Sequence, residues 1–214
     1  MYYGQRDTDK YIEQYFGSKY VGRCIEVGAY DGIKGSNTKL FEDRGWEVVC
    51  IEPNPYIFPK LIENRKGPCL EAACGDANEM RELEIFDFQS NIQSSLTSLA
   101  TDPRLIEDYA DAIKHRHKVT VMVNTLDLIL RSLGWTTVDF ISIDTEGTEL
   151  SVLRGLDLTK IRPKLLVVED NYDDNDITHY LSAQGYIKDQ RYFVNNFYIE
   201  SQVILCDSIL KAEF

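Results

Sequence analysis

Short apolar runs alternate with amphipathic stretches along this chain. Cys24–Val27, Val48–Ile51, Cys69–Ala73, Val138–Ile143 and Lys164–Val168 are compact, mostly apolar runs, which predicts buried strands. Between them the period lengthens to that of a helix. Thr8–Phe16 places Tyr11, Ile12, Tyr15 and Phe16 on one stripe, with Thr8 as the expected N-cap and Gly17 as the stop. Ser36–Arg44 reads as a helix closed by Gly45. Asn54-Pro55 reads as a helix start that Pro59 delays to near Ile57. Thr125–Leu133 carries Leu126, Ile129, Leu130 and Leu133 on one face and ends at Gly134; Thr148–Leu156 and Asp174–Gln184 follow as helices. Glu82–Phe88 alternates like a half-buried strand and Val119–Val123 reads as another. Residues 88–118 are mostly polar, with a helical patch around Leu105–Ile113, and are expected to form a substrate lid. Tyr186–Phe193 and Asn196–Leu205, with Asn195-Asn196 between them, predict a closing antiparallel hairpin.

Strand and helix in alternation imply an α/β fold with a mostly parallel sheet and helices on both faces. Ligands then sit beyond the carboxyl ends of the strands. Asp31, Glu52, Asp76, Asp144, Glu146, Glu169 and Asp170 all fall at such ends. Acids gathered there, strand after strand, are hard to explain by packing.

Composition narrows the picture. The length of 214 residues suits one domain spanning 1–214. A net charge of −12 argues against nucleic acid as a partner and leaves a small substrate or a peptide open. The basic run Lys114–Lys118 (KHRHK) is short and reads as a solvated loop. No apolar run reaches the roughly 18–20 residues of a membrane span, and the first residues lack a signal-peptide pattern. Cys24, Cys50, Cys69, Cys74 and Cys206 show no Cys-x-x-Cys spacing, so a reduced, cytoplasmic setting is expected. His115, His117 and His179 form no metal pattern, and no serine or cysteine sits in a nucleophile elbow. Nothing in the sequence sets an oligomeric state.

Candidate chemistry concentrates between Arg23 and Asn54. A strand, a glycine turn at Gly28 and Gly32, a helix, and a second strand ending in Glu52 make a unit suited to a nucleoside-containing cofactor, the acid accepting from ribose hydroxyls. The turn lacks the full G-x-G-x-x-G, and Asp31 would repel a pyrophosphate. S-adenosylmethionine, with its sulfonium and ammonium and no phosphate, suits such acids better than a nicotinamide dinucleotide. Ala73–Asp76 would border the adenine, with Asp76 accepting from its amine. Asp144 and Glu146 in SIDTEGTEL (Ser142–Leu150), with Glu169, Asp170 and Asn171 in KLLVVEDN (Lys164–Asn171), crowd where a transferable methyl would lie. One of Asp144, Glu146 and Glu169 would serve as a base for the acceptor. Alternatively, Asp144, Asp170 and Asn171 would hold a hard divalent cation, a use these residues allow but do not favour. Three activities stay open on these residues: methyl transfer, a nicotinamide-dependent oxidoreductase, and a cofactor-binding module without catalysis.

Taken together, YGQRDTDKYIEQYF, IEVGAYDGIKGSNTKLFEDRGWEVVCIEPNP, VNTLDLIL, VDFISIDTEGTELSVLRGLD and RPKLLVVEDN resemble the FkbM family of S-adenosylmethionine-dependent methyltransferases. The resemblance runs from Tyr3 to Asn171. It implies the class I, Rossmann-like methyltransferase fold: a three-layer sandwich around a seven-stranded sheet whose last strand is antiparallel. It also implies cofactor contacts from Glu26, Gly28, Tyr30, Gly32, Glu52, Pro53 and the Ala73–Asp76 turn, with Ser36 and Asn37 at the helix start. Tyr30 departs from the asparagine that the family often has, and the insertion matches little beyond Ser94-Ser95. The family implies O-methylation of a sugar or polyketide hydroxyl, with N-methylation of peptide amides as a minority use.

Overall fold

The computed structural model describes residues 1–88 and 96–201. The elements run α1 (Thr8–Phe16), β1 (Arg23–Val27), α2 (Lys39–Asp43), β2 (Glu47–Ile51), α3 (Phe58–Asn64), β3 (Cys69–Leu70), β4 (Ala73–Cys74), β5 (Glu79–Phe88), β6 (Leu96–Ser98), α4 (Pro103–Asp108), β7 (Ile113–Asn124), α5 (Leu126–Leu133), β8 (Phe140–Ile143), α6 (Glu149–Arg154), β9 (Leu165–Glu169), α7 (Asn175–Ala183), β10 (Tyr186–Tyr192) and β11 (Asn195–Glu200). A seven-stranded sheet has the order β10-β11-β9-β8-β1-β2-β3, and a four-stranded sheet has the order β4-β7-β5-β6. In the large sheet β11 alone runs against its neighbours β9 and β10; the other pairings are parallel.

The large sheet is covered on both faces because its strands send alternate residues to opposite sides. Ile25, Val27, Val49, Ile51, Ile141, Ile143, Leu166 and Val168 pack with Leu126, Ile129 and Leu130 of α5, Val152 and Leu153 of α6, and Ile177 and Leu181 of α7. Cys24, Val48, Cys50, Phe140, Leu165 and Val167 face the other way, against Ile12 of α1, Leu40 and Phe41 of α2, and Leu61 of α3. The strand order reverses between β1 and β8, so the crevice beyond Val27 and Ile143 is where this topology places a ligand.

Several sequence expectations change. Thr8 lies inside α1 rather than capping it, because a preceding 3₁₀ turn over Gln5–Asp7 puts Asp7 at the cap in a left-handed conformation. The helix expected from Ser36 starts only at Lys39. Ser36 Oγ accepts from the amides of Thr38 and Lys39, which makes a turn of those first residues. The single strand expected over Cys69–Ala73 divides: β3 pairs with β2, while β4 crosses to the second sheet and pairs with β7. The helical patch expected over Leu105–Ile113 is the short α4. Lys114–Lys118 is not a loop but half of β7, where Arg116 pairs with Glu84 and Lys118 with Glu82 across the ladder to β5. Asn195 and Asn196 are buried in β11 instead of forming the hairpin turn, which falls at residues 193–194. The expected Ser94-Ser95 match, the hairpin strand beyond residue 201 and Cys206 lie outside the described residues. No helix among the described residues is long and apolar enough to cross a membrane.

Candidate active site

Three strand ends are stitched together at the first turn. The amides of Gly28 and Ala29 donate to Ile51 O, and the Asp144 amide donates to Val27 O. Gly28 has φ +80°, and a Cβ there would lie 1.7 Å from Asp144 O, so only glycine lets β1 and β8 approach this closely. Beneath the turn, the Glu26 carboxylate accepts from Ser36 Oγ (2.8 Å), the Asn37 amide (2.6 Å), Thr38 Oγ1 (2.7 Å) and Arg65 Nη1 (3.1 Å). Arg65 also reaches Gly32 O, Ser36 Oγ and Thr38 Oγ1, and its Nε faces Glu42 at 3.2 Å. This buried network fixes the loop from Ser36 to Thr38.

A cavity of about 430 Å³ opens above it, lined by Tyr3, Gly4, Gln5, Gly28, Tyr30 and Ser36 and closed at its far side by Asn37, Asp144, Glu146 and Glu169. That volume is within the range of small-molecule sites. Beside it, sharing Val27 and Gly28, is a smaller and more apolar recess bounded by Ile51, Pro53, Ala72, Ala73, Leu99 and Thr148. Glu52 stands between Ile51 and Pro53. Its carboxylate accepts from the amides of Tyr30 (2.8 Å) and Asn54 (2.9 Å), yet burial and then the Asp144 charge hold its pKa up at about 7. Tyr30 reaches its position through a positive φ of 50°.

The far wall is acidic. One carboxylate oxygen from each of Asp144, Glu146 and Glu169 lies within 4.8 Å of the others. Glu146 adopts φ 56°, a left-handed conformation uncommon for a long side chain. Burial, followed by the charges of its neighbours, pushes Glu146 and Glu169 well above the usual carboxylate range, and burial raises Asp144 to about 6. Oε2 of Glu169 is buried without a hydrogen-bond partner. Glu149, which follows in the same motif, serves the loop instead: its Oε1 accepts from Thr145 N, Thr145 Oγ1 and Gly147 N. On the other side of Glu146 and Glu169 is a second cavity of about 200 Å³, bordered by Arg104 and Leu105 of α4, Leu150, Tyr172 and Ile177. The two cavities thus meet at two carboxylates.

Of the residues picked out in the sequence, Glu26, Gly28, Tyr30, Ser36, Asn37, Asp144, Glu146 and Glu169 border the larger cavity, and Pro53 and Ala73 the smaller. Glu26 faces it with a carboxylate already engaged by protein donors. Three expectations are corrected. Gly32 does not line either cavity; its φ of +80° and the nearness of Arg65 and Leu61 explain the glycine by packing. Asp76 is exposed, with its amide on Ser151 Oγ, because the chain leaves the large sheet at β4 before reaching it. Asp31 accepts from the amides of Ile33 and Lys34 and so organises the turn rather than the cavity. In the alternative ligand set Asp144, Asp170 and Asn171, Asp170 is already engaged by protein donors: it accepts from the Asp174 amide and Asn196 Nδ2. The oxygen donors that do converge, on Asp144, Glu146 and Glu169, are the ones a hard cation would meet. The sequence alone missed Tyr3–Gln5 as a wall and Arg65 as the buried counter-charge.

The lining suits the charge of S-adenosylmethionine: a small apolar recess with a buried acid next to it, and a wall of carboxylates where positive charge would stand. A model of the methyltransferase FkbM domain matches residues 26–188. No curated protein sequence matches the chain. Among solved structures it is similar to the N-terminal domain of human METTL16, with 12% identity over 92% of this chain and 69% of that one and a TM-score of 0.50. It also matches a SAM-dependent methyltransferase from Agrobacterium tumefaciens (11% identity, 90% and 61% covered, TM-score 0.42). A third match is the precorrin-6y C5,15-methyltransferase from Geobacter metallireducens (11% identity, 91% and 85% covered, TM-score 0.40).

Proposed function

We propose, from the premise that this chain belongs to the FkbM methyltransferase family and is an S-adenosylmethionine-dependent methyltransferase, that it O-methylates a hydroxyl on a small molecule or glycan. The observation that carries this is the meeting of the two cavities at Glu146 and Glu169. The larger cavity takes the methionine end of the cofactor, against Tyr3–Gln5, Gly28, Tyr30, Ser36, Asn37 and Asp144. Glu52 takes the ribose, and Pro53, Ala73 and Leu99 flank the adenine. Glu26 acts through the loop it holds. The acceptor enters the second cavity, of about 200 Å³, which α4 borders.

When bound, S-adenosylmethionine supplies a methyl group already activated on a sulfonium. The chain's part is alignment and proton removal. Asp144 borders the cofactor cavity alone, whereas Glu169 borders both and has an unpartnered oxygen. Glu169 is therefore the proton acceptor for the hydroxyl, with Asp144 beside it and Glu146 completing the wall. The test is mass spectrometry of a hydroxylated metabolite and glycan pool incubated with methyl-labelled cofactor. A labelled ether supports the assignment; label only on nitrogen would replace it by N-methylation.

Replacing Glu52 with Gln should weaken binding of S-adenosylhomocysteine by about 1–3 kcal/mol, measured by calorimetry, because a charge-assisted pair of ribose bonds is lost. An unchanged dissociation constant would contradict the ribose role. Proton transfer to a carboxylate needs no metal, so turnover is expected to survive excess EDTA; loss of activity restored by Mg²⁺ or Mn²⁺ would instead assign the three acids to a cation.

A further inference from the structure

We infer that the methyl acceptor carries a positive charge, as an amine-bearing polyol of about monosaccharide size does. This rests on the methyl transfer proposed above and specifies its acceptor. The acceptor-side cavity holds about 200 Å³, below the usual range for drug-sized ligands, so it suits a single ring rather than an extended chain.

Its charge is one-sided. Glu146, Glu169, Asp170, Asp174 and Asp176 border it, and Arg104 is the lone cation among its described lining residues. Arg104 does not face the cavity as a free charge. It is paired with Asp102 (2.7 Å) and Asp174 (2.5 Å), and its guanidinium lies 3.9 Å from the centre of the Tyr172 ring. Asp170 is likewise engaged, by Asn196 and the Asp174 amide. Glu149, which also lines the cavity, holds the Thr145–Gly147 loop, so Glu146, Glu169 and Asp176 are left to face whatever enters.

Independently of that charge, Glu169 is only 6% exposed, lines the cavity, and keeps Oε2 without a donor. A buried carboxylate oxygen with no partner is expensive and calls for a donor from outside the protein. A hydroxyl supplies one donor for it. An ammonium on the same molecule supplies charge-assisted donors for the acids at the rim, where Asp176 opens the first turn of α7. Leu105, Leu150 and Ile177 give the ring an apolar seat. An acceptor bearing phosphate or carboxylate would meet these acids with no free cation among the described lining residues to offset them.

The test uses the whole protein loaded with S-adenosylhomocysteine and three ligands on one ring: glucosamine, N-acetylglucosamine and glucuronic acid. Calorimetry first measures the cofactor product alone. Glucosamine should then bind about tenfold more tightly than N-acetylglucosamine, the difference between a charge-assisted and a neutral hydrogen bond, and glucuronic acid should not bind. Asp176→Asn, an exposed change, should shrink the preference for the amine by about threefold, as for an exposed ion pair. Equal binding of the amine and its acetylated form, preference for the acid, or binding of none of the three overturns the inference while leaving the cofactor assignment intact. Failure of S-adenosylhomocysteine itself to bind would take down the cofactor assignment as well.

Discussion

Arg65→Met is expected to destabilise the fold by about 3–5 kcal/mol, the cost of leaving buried charges uncompensated, read as a lower urea midpoint. The Arg65 side chain is 0% exposed and Glu26 and Glu42 are nearly so. Methionine keeps much of the volume but leaves Glu26 with neutral donors only, leaves Glu42 to Lys39 alone among charged partners, and strips a donor from Gly32 O and the hydroxyls of Ser36 and Thr38. Arg65→Lys should recover only part of the loss, because one ammonium cannot reproduce the fork that spans Glu26, Thr38 and Glu42. Adding Glu26→Gln to Arg65→Met removes one stranded charge, so the double variant should be more stable than the single one. The same network holds the Ser36–Thr38 wall, and cofactor affinity should fall along with stability. A loss below about 1 kcal/mol would mean that the pair is no better than a surface ion pair.

This network was also the part of the site least visible in the sequence. Arg65 sits in Asn64-Arg65-Lys66-Gly67-Pro68, a stretch that reads as solvated charge. Only the docking of α3 beneath the first turn turns it inward. By contrast, Glu52, Asp144 and Glu169 were legible because a buried strand ending in an acid needs a reason beyond packing. The boundary was finer than the pattern could resolve: neighbouring strand residues face opposite ways, so Glu169 meets Asp144 while Asp170 turns to Asn196. The core of the large sheet was legible because its strands are buried on both faces and therefore nearly continuously apolar. The second sheet was not. In β7 the run Lys114–Lys118 is exposed or half-exposed at every position and is held by the ladder to β5 and by cross-strand ion pairs, which leave no apolar period to read. Asn195-Asn196 misled in the opposite direction. Turn residues by habit, both are buried in β11, where Asn196 donates to Asp170.

Glu169→Gln is expected to lower kcat by about 100- to 10,000-fold, the span of general acid–base catalysis, while leaving the dissociation constant of S-adenosylhomocysteine within about threefold. The amide keeps the side chain's shape but cannot take a proton. The pH profile distinguishes this from a structural effect. A base works only when ionised, so activity is present above its pKa and is lost as pH falls through it. Burial, then the charges of Asp144 and Glu146, hold the Glu169 carboxyl well above the ordinary value, and its neighbour Asp144 stands at about 6. The acid limb of the wild-type enzyme should therefore lie well above the ordinary glutamate value of about 4.3. In Glu169→Gln the residual activity should lose that limb, because the amide has no proton to gain as pH falls. Asp144→Asn should differ in kind. Asp144 borders the cofactor cavity only, so its loss should raise the cofactor dissociation constant more than it lowers single-turnover rate. A Glu169→Gln enzyme within about threefold of wild type, with its acid limb unmoved, would remove Glu169 from the chemistry and pass the proton to Glu146, the other carboxylate that borders both cavities.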